Sequence, residues 1–296
     1  MQCSQYEKSR VGVVVSEFDA KHPSDLAQIK ELLYTHKLII FKDQALSETQ
    51  FCDFSARLGE PVPYLQSNYH HPDFPLIFVS SNVKKDGKKM GVARTGGYWH
   101  SDTSFMQEPI PLTLLYPQRV PKETRRTTLF IDMEQAYIAM PTSMRERLKG
   151  MEFIHSGKWR YKVRAEDAGL DLAEILQMIH QVQPPVVHPA VIQHPVTGNS
   201  VLYATRGFTI GIKDMSTDDA SAFLDEVFAF VEQPEFIHEF QWALGDMILW
   251  DNRFFAHKAG RLAVANDPVN GDTQLEEETI VYRIIIKDGY ELSGGV

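Results

Sequence analysis

The chain has 296 residues, 43% of them hydrophobic and 23% charged, with a formal net charge of −9. This is the balance of a globular protein able to bury a sizeable core, and the acidic surplus excludes a general nucleic-acid binder, which needs a basic footprint. Its two cysteines, Cys3 and Cys52, form neither a CxxC pair nor a disulfide framework, and no stretch has the length of a membrane span. With no apolar signal core near the start, the sequence reads as a cytoplasmic protein without a membrane partner.

In chain order, apolar residues at Leu26, Ile29, Leu32 and Leu33 predict a helix over 24–36, opened by Ser24-Asp25. "KLIIF" follows as a buried strand. Ser47 with Gln50 three residues later is a capping-box pattern and opens a second helix ending near Gly59. The character then changes. "PLIFVSS", "GYWHSDTSF", "PLTLLYP", "TTLFIDM", "AVIQHP", "SVLYAT", "GDMILW" and "TIVYRIIIKDG" are short, β-rich and bounded by turn residues. Helices are predicted over roughly 133–149, 166–182 and 217–231, the last capped by Ser216. Strands do not alternate regularly with helices, which argues against a doubly wound sheet. The expectation is a mainly β protein with a jelly-roll core and peripheral helices, one domain over 1–296. The acidic stretch 262–280 reads as a long loop.

His100 and Asp102 in "GGYWHSDTSFM" raise a chemical question. With 11 histidines in the chain, about one His-x-Asp match is expected by chance. A second match, His71-Pro72-Asp73, sits in "HHPDFP", where the prolines demand a turn, and reads as a solvated loop. His100 and Asp102 lie in a strand-like stretch. There Tyr98, His100, Asp102 and Ser104 would share one face. One imidazole and one carboxylate are two thirds of a 2-His-1-carboxylate iron site. The bland reading, a His–Asp hydrogen bond on a half-solvated strand, weighs equally at this point. For a second histidine, His257 stands out in "GDMILWDNRFFAHKAG", just beyond a polar turn at 251–253. His194, before a proline in a hairpin-like turn, reads as structural. A 2-oxo acid co-substrate needs a cation for its far carboxylate. Arg283, a cation within the apolar strand "IVYRIIIKDG", is costly there unless paired. Arg261, in a loop after Gly260, is the poorer anchor. A non-catalytic metal- or ligand-binding jelly roll and a zinc hydrolase stay open on these residues alone.

"WHSD", "WDNRFFAH" and the later "YR", in this order, resemble the taurine dioxygenase (TauD/TfdA) family of Fe(II)/2-oxoglutarate-dependent oxygenases, over nearly the whole chain. The resemblance implies a double-stranded β-helix and an enzyme using Fe(II), 2-oxoglutarate and O2. It implies His100, Asp102 and His257 as iron ligands, with Arg283 and Thr128 holding the distal carboxylate of 2-oxoglutarate. The interval from His257 to Arg283 exceeds the family's usual one, and 262–280 would be the insertion. "PYLQSNYHHPDFPLIFVSSN", "GYWHSDTSFMQEP" and "VIQHPVTGNSVLYATRGFT" are similar to the family's isonitrile-forming branch, which oxidises N-(carboxymethyl)amino fatty acids. That implies Lys162 and Tyr64 as substrate-binding residues, with Leu65 and Thr103 standing where the branch has tyrosines and so enlarging the pocket. The expected substrate is a small amine or amino-acid derivative bearing a carboxylate. In a strand, Lys158, Arg160, Lys162 and Arg164 would share one face.

Overall fold

The computed structural model describes residues 1–7, 9–85, 88–93, 95–120, 126–261 and 278–294. Its largest sheet has eight strands. The order is Gln2–Gln5, Val13–Ser16, Leu38–Phe41, Met247–Asp251, Leu112–Arg119, Ile280–Lys287 and Glu60–Val62, with Phe78–Ser81 also pairing with Ile280–Lys287. The central strands are continuous runs of branched apolar residues because both their faces are covered. Ile39, Leu114, Leu249, Ile284 and Ile286 are buried in one apolar cluster with the two N-terminal helices. Leu38, Ile40, Leu115, Ile248 and Trp250 belong to the other, which continues into the facing strands.

Those facing strands are Ile237–Gln241, Arg126–Asp132 and Phe255–Arg261, with Arg126–Asp132 in the middle. Glu152–His155, Val186–Pro189 and Thr209–Ile212 form a third group. The result is the jelly-roll sandwich that the sequence pattern predicts, mainly β, with six α-helices among the described residues. The Glu48–Leu58 helix opens with the expected reciprocal box: Ser47 accepts from the Gln50 N–H, and the Gln50 side chain accepts from the Ser47 N–H. Ser216 caps Thr217–Val231 as expected. The first helix runs Leu26–His36 with Asp25 at its N-cap, making no side-chain cap bond.

Four expectations need correction. The predicted 133–149 helix is two, Met133–Ala139 and Thr142–Leu148. Pro141 cannot donate within a helix, and it holds the preceding Met140 in an extended conformation. The 166–182 helix starts only at Leu172, behind an Asp171–Glu174 capping box. Residues 158–164 form no strand: Lys158–Arg160 is a single 3-10 turn, so the strand-face alternation of the four basic residues does not apply. Arg261 ends the Phe255–Arg261 strand opposite Arg126 and does not sit in a loop. Of the acidic stretch 262–280, residues 262–277 lie outside the described residues.

Candidate active site

His257 is fixed by strand register. In Phe255–Arg261 it lies opposite Phe130 of the neighbouring strand. His100 meets it through a pair of backbone bonds, the His100 N–H donating to the His257 carbonyl at 3.0 Å and the His257 N–H to the His100 carbonyl at 2.7 Å. The two imidazoles are therefore neighbours, with ring centroids 4.2 Å apart. Asp102 arrives differently from the strand-face expectation. After the single bridge residue His100 the chain turns, and Thr103 takes a left-handed φ of 60°. The turn brings the Asp102 carboxylate back to both imidazoles, with Oδ1 3.6 Å from His100 Nε2 and Oδ2 3.9 Å from His257 Nε2. Ser101, Thr103 and Ser104 are all buried, so no solvated face exists here.

Burial alone would raise the Asp102 carboxyl. Arg283, His257, His100 and the Thr113 hydroxyl outweigh it and hold the group near 2, as a carboxylate. Burial lowers both histidines, His257 well below its usual value, so both rings are neutral. His100 Nδ1 is 2.8 Å from the Tyr98 carbonyl, which leaves Nε2 turned toward Asp102. Two neutral imidazoles and one carboxylate, with ligand atoms all within 4.8 Å of one another, are a donor set for a divalent metal.

The site opens into a cavity of about 260 Å³. Arg283 lies on its wall, opposite Leu115 and Phe78 in register. Its guanidinium stacks 4.0 Å from the Phe78 ring, and one terminal nitrogen donates to Asp102 Oδ1 at 2.7 Å. Its buried Nε has no hydrogen-bond partner among the described residues. Thr128 also lines the cavity, and its hydroxyl accepts from the Trp242 indole at 2.9 Å. Tyr64, Leu65, Thr103 and Lys162 all reach the same cavity. Burial pushes the Tyr64 phenol up to about 12, so it stays protonated. The Thr103 hydroxyl is occupied in accepting from the Ile110 N–H at 2.7 Å. Among the basic residues, Arg160 lies 4.0 Å over the Tyr98 ring and Arg164 pairs with Asp167 and Glu166. The Lys162 ammonium has no carboxylate partner among the described residues.

His71 and His194 stand apart from the site, as expected. His71 Nδ1 accepts from the Asp73 N–H in a bend. His194 is fully buried, 3.0 Å from Asp251 and stacked on Phe254. The sequence reading missed Trp242, Arg160 and Phe208, which line the cavity, and the Met178–Gln183 flank of the Leu172–Val182 helix. Arg160 was visible only as one of four alternating basic residues, and a strand-like alternation hid its separate role.

The fold and this cluster define a jelly-roll protein with a buried, two-histidine, one-carboxylate metal site. The family model for "Taurine catabolism dioxygenase TauD, TfdA family" matches residues 3–268. The chain belongs to that family and is an enzyme, an Fe(II)- and 2-oxoglutarate-dependent dioxygenase using O2. It is similar to the pentalenolactone F synthase of Streptomyces arenae, 26% identical over 250 residues that cover 82% of this chain and 83% of the relative. The alpha-ketoglutarate-dependent 2,4-dichlorophenoxyacetate dioxygenase of Cupriavidus pinatubonensis is 26% identical over 258 residues, covering 83% of this chain and 87% of the relative. Among solved structures, AAD-2 in complex with Mn(II) and N-oxalylglycine superposes with a TM-score of 0.75 at 22% identity, over 98% of this chain and 99% of that one. A taurine dioxygenase from Burkholderia xenovorans gives 0.73 at 23%, over 100% and 95%. No helix among the described residues is long and apolar enough to cross a membrane.

Proposed function

We propose that this dioxygenase oxidises a small amine or amino-acid derivative that carries a carboxylate, with His100, Asp102 and His257 holding the iron. One observation supports the anionic substrate above others. In a chain of net charge −9, the cavity wall carries four cations, Arg160, Lys162, Arg164 and Arg283, and one carboxylate, Asp102. Glu166 and Asp167 already balance Arg164, and Asp102 with the distal carboxylate of the co-substrate meets Arg283, which leaves Arg160 and Lys162 without a carboxylate among the described residues. A second anion, the substrate's, fits the remainder.

Bound Fe(II), with O2 and 2-oxoglutarate, supplies the oxidising equivalent that removes hydrogen from a substrate C–H while 2-oxoglutarate becomes succinate and CO2. The protein's part is binding, orientation and exclusion of water. Arg283 offers the terminal guanidinium N–H groups that Asp102 does not take to the distal carboxylate of 2-oxoglutarate, and Thr128 adds its hydroxyl proton from the facing strands. N-oxalylglycine, named in the AAD-2 complex, differs from 2-oxoglutarate only by an NH in place of a methylene. Lys162 takes the substrate carboxylate as a mobile point charge. Tyr64 stays protonated and donates beside it, and Leu65 and Thr103 leave the space that bulkier side chains would fill.

Within this reading, the particular reaction is the isonitrile-forming oxidative decarboxylation of an N-carboxymethyl amino acid. Lys162 and Tyr64 on the wall support it. Hydroxylation or desaturation of another amino-acid or sulfonate-type substrate is the second reading, favoured by Leu65 and Thr103, which remove polar contacts. Succinate release stimulated by a panel of N-alkylglycines, free amino acids and aminosulfonates, followed by mass spectrometry, decides between them. Lys162→Ala should abolish the stimulation while slow, substrate-free succinate release persists. Stimulation by the variant equal to wild type would remove Lys162 from the substrate site.

A further inference from the structure

The carboxylate of Asp102 is held from behind by a chain of hydrogen bonds whose direction can be deduced. Trp250 Nε1 lies 2.8 Å from Asn252 Oδ1, Asn252 Nδ2 lies 2.8 Å from Thr113 Oγ1, and Thr113 Oγ1 lies 2.8 Å from Asp102 Oδ2. An indole nitrogen only donates. The Asn252 atom facing Trp250 is therefore the carbonyl oxygen, and its amide nitrogen faces Thr113. The amide nitrogen also only donates, so Thr113 accepts from Asn252 and must aim its own hydrogen at Asp102. Each link is decided by the one before it. The Asp102 N–H, 3.4 Å from Asn252 Oδ1, agrees with this amide orientation.

The supports of this chain are rigid. Trp250 and Thr113 are cross-strand partners in the large sheet, and both are buried, as is Asn252. The Asn252 backbone is pinned at both ends, its N–H donating to the Pro111 carbonyl at 2.7 Å and its carbonyl accepting from Ser101 Oγ at 2.8 Å. Ser101 immediately precedes Asp102. The same asparagine thus holds the turn that presents the carboxylate and orients the hydroxyl that holds one of its oxygens. Arg283 holds the other oxygen at 2.7 Å.

We propose that Thr113, oriented by Trp250 and Asn252, is a positioning residue for Asp102: its one-way hydrogen bond fixes the rotation of the carboxylate and so preorganises the metal site. The inference rests on the reading of Asp102 as a metal ligand. A partner of this kind, behind a metal-binding side chain, typically carries 10–100-fold in metal affinity.

The test is Mn(II) binding to the full chain without co-substrate, read as loss of the free Mn(II) electron paramagnetic resonance signal, with thermal unfolding alongside. Thr113→Val is nearly isosteric and should weaken Mn(II) binding about 10–100-fold. Thr113→Ser should bind close to wild type. Thr113→Ala differs from Thr113→Ser only by the hydroxyl, so this pair carries the comparison if the valine variant fails to fold. The serine variant should bind more tightly than the alanine variant at a similar unfolding temperature. Equal affinity in those two, or wild-type affinity in Thr113→Val, overturns the proposal. Asp102→Ala separates the two levels. Wild-type Mn(II) affinity in that variant would overturn the metal-site reading itself, whereas weak binding there with no effect of the Thr113 hydroxyl would overturn only the positioning role.

Discussion

Removing His155 should make the protein more resistant to acid. His155 is fully buried, and neither ring nitrogen has a hydrogen-bond partner among the described residues. The titratable rings against it are His188, with centroids 5.3 Å apart, and Tyr203, at 5.6 Å. Burial, reinforced by His188, lowers the His155 imidazole to about 3, whereas an unfolded histidine titrates near 6.5. The sign follows from proton counting. Above pH 6.5 the ring is neutral in both states and stability is unaffected. Between 6.5 and about 3 the unfolded chain takes a proton that the folded one refuses, so stability falls with pH by about 1.4 kcal/mol per unit. At pH 4.5 the loss is about 3 kcal/mol, a large share of a domain's typical 5–15 kcal/mol. His155→Phe keeps an aromatic ring in the site and removes the titration. Urea unfolding at pH 7 and pH 4.5 measures the difference. The wild type should lose about 3 kcal/mol more than the variant on acidification. Equal losses would show that His155 is not held neutral in the folded protein.

Two further perturbations probe the site. Gly96 has a φ of 67°, and a Cβ there would lie 3.2 Å from His100 Cε1 and 3.7 Å from Nε2. Gly96→Ala should therefore cost about 1–2 kcal/mol of stability and also weaken Mn(II) binding, by pressing on the ligating edge of the ring; unfolding and metal titrations check both. Arg283→Met should raise the KM for 2-oxoglutarate steeply, since losing one partner of a buried charge pair costs about 2–5 kcal/mol. A larger effect from Arg261→Met would place the anchor at the other arginine.

The fold was legible because its strands are long apolar runs bounded by turn residues, and because the Ser47–Gln50 and Ser216 caps act through neighbours in sequence. His257 was legible because a polar turn between two apolar runs marks a change of direction, and in the structure that turn carries the chain from Met247–Asp251 in the large sheet across to Phe255–Arg261 in the facing one. The stretch around His100 was read correctly for its residues and wrongly for its shape. Its aromatic and β-branched composition imitates a strand, while the actual turn depends on a non-glycine residue, Thr103, held at a positive φ by its bond to Ile110 and the surrounding core. Tertiary packing imposes that conformation, and no local propensity signals it. The break at Pro141 was visible in the sequence, since a proline ends a helix at the residue before it. Asn252 was visible as part of the polar turn, but its bond to Thr113 gave no signal, because 139 residues separate the two and only sheet register brings them together.

If His100, Asp102 and His257 together hold the iron that drives 2-oxoglutarate turnover, losing one imidazole must stop it. The most direct measurement is succinate formation by the purified chain with Fe(II), 2-oxoglutarate and O2, for wild type and His257→Ala, with circular dichroism to confirm that both are folded. Wild type should form succinate that disappears on chelation of iron, and the folded His257→Ala protein should form none at any Fe(II) concentration tested. Wild-type rates of succinate formation by His257→Ala would contradict this set of iron ligands.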